Sequence, residues 1–354
     1  MKRTAITLAG LLALSTTATQ AQNVTLYGLV DTGVERLDHV GAGSDSVFRM
    51  PTLAGSFASR WGMRGSEDLG NGLKAVFTLE SGFAADSGIP QQAGRLFGRQ
   101  AYVGLQGGWG TLSFGRQYSM LFHASLNADL MLAQIYGAGA FDPFLAGPRV
   151  DNAVSYLGKW GGLSAGATYS FGRDNPGTGG CPGEVAGDSQ NCRQWSAMVK
   201  YDTPNWGVAA WTDDQNNAAG LSDTRSAVNG YLMLGSTKLS ASYMRRDNEP
   251  VAAATPTLDE SRLASVALLH PLTPAITLEA QYYDFDYDDS DNDARMLVLR
   301  GSYAFSKRTV AYVTSGLMRN QGASALSASV ASPAYAPTPG RNQTGVMVGL
   351  RHSF

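Results

Sequence analysis

Beyond its first two dozen residues the 354-residue chain lacks any unbroken apolar run of the roughly 18 to 20 residues that a membrane-spanning helix needs. A helical membrane protein is excluded, and any membrane role falls to strands. Cysteine is nearly absent, with Cys181 and Cys192 alone, and the four histidines (His39, His123, His270, His352) are too scattered to complete a metal site with them. Lysine is scarce, 6 residues against 21 arginines, and the formal charge is −2, so nucleic acid finds no basic footprint and is not expected as a partner. The glycines of GGWGTLSFG fit neither the phosphate-loop nor the dinucleotide pattern, and no cofactor or metal is expected. What the chain has in excess is glycine, 42 residues, far above the usual share of roughly 7%.

Residues 1–21 open with Lys2 and Arg3, continue through an apolar stretch from Ala5 to Leu14 and end in small residues at Ala21, which reads as a secretory signal peptide. Its removal leaves 22–354 as one mature domain and takes the charge from −2 to −4, with 25 basic and 29 acidic residues. Export also decides the cysteines. In an oxidising compartment, two thiols in a polar, Gly-rich stretch with ten residues between them form a loop disulfide.

From Val24 onward, short alternating segments recur with almost no helical periodicity. Val24, Leu26, Gly28 and Val30 alternate with Thr25, Tyr27, Leu29 and Asp31; Ile276, Leu278, Ala280 and Tyr282 alternate with Thr277, Glu279, Gln281 and Tyr283. The breakers alternate in length. Short ones, such as Leu69–Gly72, Gly107–Gly110, Lys159–Gly162 and Gly235–Thr237, are interleaved with long polar ones near 38–54, 84–94, 118–149, 173–193, 216–224, 247–259, 288–293 and 320–341. They separate about sixteen strands, joined by seven tight turns and eight longer loops. An even strand count with turns short on one side and long on the other is the pattern of a closed antiparallel outer-membrane barrel. Lipid offers unpaired backbone groups no water, so a spanning sheet must close.

A secreted β-sandwich, propeller or β-helix would alternate too, but no fixed repeat period is present. The chain end separates the readings: Thr344, Val346, Val348, Leu350, His352 and Phe354 share one parity, and the last residue is aromatic.

Several stretches resemble the Gram-negative general porins of the β-proteobacterial type. They are VTLYGLVDTG from Val24, SRWGMRGSEDLGNGLKAVFTLESGF from Ser59, GRQAYVGLQGGWGTLSFGRQY from Gly98, DNAVSY from Asp151, YAFSKRT from Tyr303 and the terminal VGLRHSF. Their order and spacing cover essentially the whole mature chain. The resemblance implies an all-β, 16-stranded antiparallel transmembrane barrel with an inward-folded third loop, assembled as a homotrimer among outer-membrane lipid and lipopolysaccharide. It further implies passive passage of small hydrophilic solutes and ions, and a terminal Phe354 read by the barrel-assembly machinery.

Such a barrel encloses water and is narrowed by its third long loop, for which Ser119 to Pro148 is the candidate. At about 30 residues it exceeds the 12 to 15 beyond which loops are usually functional or disordered, and it is unusually apolar. Arg60 and Arg64 share a parity that must face water, since a cation on the lipid face costs about 2–4 kcal/mol at the midplane. Lys74 and Glu80 have inward parity in the next strand. The parity of Arg99 is ambiguous; the resemblance places Arg60 and Arg99, with Arg149, in a basic constriction cluster. It also sets loop carboxylates opposite that cluster, with Asp129 and Asp142 the only acids available, so arginine should be in surplus and anions preferred. Structural salt bridges or contacts to lipopolysaccharide phosphates are the alternative role for these arginines. Arg116 has outward parity near the rim, where the resemblance implies a trimer contact; Asp86 of a neighbour is its expected partner.

Catalysis is not expected. His123 and Ser125 are close in sequence, but no strained elbow or third partner accompanies them. A receptor or antigen role for the external loops is compatible with a pore. A substrate-selective porin remains the nearer alternative to general diffusion.

Overall fold

The computed structural model describes residues 24–53, 55–175, 181–249, 259–330 and 332–354; the leader assigned to 1–21 lies outside the described residues. Sixteen long strands follow one another: β1 (Thr25–Val40), β2 (Arg60–Gly70), β3 (Leu73–Gly82), β4 (Gln100–Gly107), β5 (Gly110–Tyr118), β6 (Ala153–Trp160), β7 (Leu163–Ser170) and β8 (Gln194–Asp202). The second half adds β9 (Trp206–Asn216), β10 (Ser222–Leu234), β11 (Thr237–Asn248), β12 (Glu260–Pro271), β13 (Ile276–Tyr287), β14 (Ala294–Ala304), β15 (Thr309–Asn320) and β16 (Gln343–Ser353). Each pairs antiparallel with the next, and β1 pairs with β16 from Leu29 opposite Ser353 to Leu37 opposite Gly345. The sheet therefore closes into a barrel, and no barrel strand is left as an open edge in lipid. No described helix is long and apolar enough to cross a membrane.

The two-residue alternation sorts side chains between lipid and lumen. Along β1, Leu26, Val30 and Val34 are exposed on the outer face while Asp31, Glu35 and Leu37 are buried inside; along β16, Val346, Val348 and Leu350 are exposed and Met347 is buried. Trp109, Trp160 and Trp206 stand at the short turns, and Tyr201 packs on Trp206 and Tyr303 on Phe305, which forms an aromatic rim at that end. The disulfide joins Cys181 to Cys192 in the loop between β7 and β8.

Chain ends meet at Gly28 and Phe354. Their backbones exchange two hydrogen bonds, 3.2 and 3.0 Å, and the Phe354 ring lies where a Cβ on residue 28 would be, 2.5 Å from the ring and 2.7 Å from the Arg60 carbonyl oxygen. Only glycine lets the terminal ring close onto β1 here. At Gly301, by contrast, an added methyl would meet only the Leu278 side chain within 4 Å, at 3.8 Å. Gly28→Ala is therefore expected to lower the unfolding free energy by about 1–3 kcal/mol through overpacking at the seam. Gly301→Ala should be neutral or slightly stabilising. Urea titrations of the folded barrel in detergent, read by heat-modifiable gel mobility, check both.

Candidate functional site

Residues 119–148 fold into the barrel rather than out of it. The segment opens with a single helical turn, Met120–Ser125, and continues through two short 3-10 turns, Ala138–Ala140 and Pro143–Ala146. Its apolar residues give the reason. Met120, Leu121, Met131, Ile135, Tyr136 and Phe141 are buried against inward side chains of the far wall, among them Met198, Trp211, Met244, Met296 and Met347. Burying a side chain of this size contributes about 1.5–3 kcal/mol, and unbranched methionines fill the irregular gap between loop and sheet. Tyr136 fits because Gly316 and Gly345 leave room for its ring, and its hydroxyl donates to Glu35 at 2.9 Å.

Polar contacts fix the same loop strand by strand. The Met120 amide donates to Ser196 Oγ on β8, Ser240 Oγ on β11 donates to the Ala128 carbonyl, and the Leu130 and Met131 amides share Gln281 Oε1 on β13. Arg300 on β14 reaches Gln134. The last loop, 321–342, also turns inward: the Val330 amide donates to the Ile135 carbonyl, while Arg49, paired with Glu35 at 2.6 Å, donates to Ser329 and Ser332 and lies over the Tyr335 ring. Nothing in its polar, Ala- and Ser-rich sequence signals this second inward loop. Together the loops cover the inner face from β8 round to β16 and reach Glu35 on β1, and the arginines lie on the side of β2 to β5.

That remaining wall carries the arginines. Glu80 on β3 is 4% exposed and receives Arg99 Nε at 2.6 Å and the Tyr27 hydroxyl at 3.0 Å, with Arg60 Nε at 3.5 Å. Arg99 also donates to the Tyr118 hydroxyl at 2.6 Å; Arg149 donates to the same hydroxyl at 3.1 Å and lies 4.7 Å from the Tyr118 ring centre. Arg64 is exposed, 5.2 Å over the Tyr27 ring, and has no carboxylate in reach among the described residues. Four guanidinium groups thus converge around one carboxylate. Arg99 is ambiguous by parity because it is the last residue before β4. Gln100 and Tyr102 are the residues of that strand that face inward, opposite Glu80 and Thr78, while Arg99 swings back to Glu80 from the loop end. Arg149 has no anionic partner among the described residues; burial and the Arg99 charge both push its guanidinium down from its ordinary value, and it remains a cation at neutral pH.

Three expected site residues fall elsewhere. Lys74 is exposed beside the short turn, paired across the sheet with Asp68, six residues and so about 20 Å along β3 from Glu80. Asp142 does not face the arginine cluster. It is buried at the back of the loop, where it caps the Phe144 amide and takes Arg225 Nε at 2.5 Å, with Arg246 at 3.9 Å. Asp129 likewise turns to the wall, accepting from the Tyr283 hydroxyl at 2.8 Å and the Met131 amide at 3.0 Å. The expected Arg116 to Asp86 pair lies between chains, and within this one the two residues are apart from each other's contacts. Arg116 is taken by Asp151 of its own chain and by the Gly98 carbonyl, while Asp86 is exposed. Sequence reasoning missed Asp31, Glu35 and Arg225; charged residues at inward parity in β1 and β10 were the available signal.

The two loop carboxylates respond to their sites in opposite senses. Burial raises Asp129, whereas for Asp142 burial is outweighed by Arg225 and Arg246, which hold it below the usual carboxylate range. The Asp142 contribution to loop docking is therefore complete above about pH 4 and disappears as pH falls through its depressed native value.

A closed sixteen-stranded barrel with an apolar outer belt and an arginine-lined passage narrowed by its own loops defines a water-filled outer-membrane channel. The chain belongs to the Gram-negative porin family, whose model matches residues 5–323. It is 30% identical to an outer membrane porin protein of Bordetella pertussis and 31% identical to outer membrane porin protein 32 of Delftia acidovorans, each over the full length of both chains. The solved anion-selective porin from Comamonas acidovorans superposes with a TM-score of 0.74 at 28% identity, covering 94% of this chain and 100% of that one. The protein is an outer-membrane porin that forms a channel, and the family is non-catalytic.

Asp142→Asn, which leaves the 2%-exposed Arg225 with Asp223 as its only salt-bridge partner among the described residues, is expected to cost about 1–3 kcal/mol and to raise open-channel noise. Asp129→Asn keeps an acceptor for Tyr283 and should cost less than about 1 kcal/mol. Thermal unfolding midpoints and single-channel traces of the two variants check the order.

Proposed function

We propose that this porin passes small hydrophilic solutes passively and favours anions, because Arg60, Arg64, Arg99 and Arg149 gather around a single carboxylate, Glu80, on the inner wall. The orientation of Asp129 and Asp142 toward the barrel wall supports the reading, since both acids of the third loop are engaged away from the passage. Fixed positive charge in a narrow, low-dielectric throat raises the local anion concentration. Arginine suits the task because it stays charged and its planar group can stack on Tyr118 and Tyr27. The similar Comamonas protein is described as an anion-selective porin, which agrees with this reading.

The export leader at 1–21, assembly as a homotrimer and recognition of Phe354 during barrel assembly belong to the same proposal. So does a trimer contact at Arg116, which Asp151 and the Gly98 carbonyl hold at the rim, with the exposed Asp86 of a neighbour as its partner.

Reversal potentials of single channels in a KCl gradient test the preference. Chloride should be favoured, and each of Arg64→Ala and Arg149→Ala should reduce the permeability ratio several-fold, as expected if each removes about 1 kcal/mol of attraction in a wet throat. Glu80→Gln should increase it. A wild-type channel that favours potassium would contradict the proposal.

A further inference from the structure

Above the arginine cluster, on the side of the long loops, lies a cleft of about 670 Å³ formed jointly by the loops that follow β1 and β3, the third loop and the last loop. Its volume is within the range of about 300–1,000 Å³ typical of small-molecule sites. The lining combines two features that simple ion conduction does not require. One is an uncompensated cation: the terminal nitrogens of Arg149 bond only to the neutral Gly147 carbonyl and Tyr118 hydroxyl. The other is apolar surface presented to an aqueous vestibule rather than to lipid. Ile89 is 59% exposed and Met50 48% exposed, while Val330 on the last loop borders the cleft but is buried. Exposed apolar residues gathered around a charge in a concave site are the signature of a ligand with both characters.

The second arginine of the cleft is not free. Arg49 is held by Glu35 at 2.6 Å and lies 4.4 Å over the Tyr335 ring, so it serves to fix the Tyr335 wall. Asp86, the one carboxylate lining the cleft, is exposed, so water and salt screen it. The unoffset positive charge therefore belongs to Arg149, which also joins the cleft to the constriction through Tyr118 and Arg99.

We propose that this cleft is a capture subsite for small organic carboxylates carrying a compact apolar body, with the carboxylate directed to Arg149 and the body against Ile89 and Met50. The inference rests on the anion-preferring reading of the pore and deepens it by naming the solute class. Chloride gains only the charge from such a site, and a neutral aromatic gains only the apolar wall. An amphipathic carboxylate gains both and is handed on to the arginine wall below.

The test uses the purified full chain in planar bilayers, with benzoate added on the side of the long loops. Acetate supplies the charge without the body, and benzamide the body without the charge. Benzoate should produce resolvable, saturable interruptions of the chloride current, with dwell times about ten-fold longer than for acetate or benzamide. Ile89→Ser should shorten the benzoate dwell about five-fold or more while leaving the brief acetate events unchanged. Equal dwell times for benzoate and acetate in the wild-type channel, with chloride still favoured in the reversal potential, would overturn the subsite alone. A potassium-favouring reversal potential would overturn the underlying pore reading as well.

Discussion

Backbone amides and carbonyls cannot be left unpaired in lipid, and this constraint determines the rest of the molecule. It forces β1 to meet β16, so the first and last strands must share a register and a close-packed seam at Gly28 and Phe354. Closure of sixteen strands produces an interior too wide for side chains alone to fill. Two-residue alternation then delivers apolar groups to the lipid and polar groups to that interior, with an aromatic rim where the outer belt ends.

How the interior is divided follows from which residues the loops carry. An apolar third loop cannot remain in water, and the inward methionines of β8, β11, β14, β15 and β16 give it a surface to cover. The last loop seals it from the other side through Val330 and the Arg49–Glu35 pair. Half of the barrel thus becomes a packed core. The other half keeps water and concentrates arginines around Glu80. Orienting the loop acids toward the wall stabilises the packed half and leaves the charge of the wet half uncompensated, so loop docking and ion preference derive from the same ion pairs.

Strand number, turn positions and the inward third loop were legible in the sequence because alternation and breaker length are local signals, and because the family motifs span the chain. Arg60, Glu80 and the Cys181–Cys192 bridge were legible for the same reason. What could not be read depends on contacts distant in sequence. Asp142 was visible as an acid on the loop, but only the buried Arg225, 83 residues later, decides which way it turns. Lys74 had the correct parity, yet parity gives a face and not a height along the strand. Arg99 escaped alternation because it precedes its strand, and the inward turn of 321–342 depends on partners at Arg49 and Ile135 that no composition reveals.

The water-filled half of this barrel presents more arginine than Glu80 neutralises, with Arg64 and Arg149 left without a carboxylate among the described residues. Anomalous diffraction from crystals of the purified protein soaked in rubidium bromide tests it most directly, because bromide and rubidium can be located separately in one channel. Bromide is expected beside Arg64 and Arg149, with no rubidium between the arginine wall and the third loop. Rubidium bound in that passage, with bromide excluded from it, would contradict the claim.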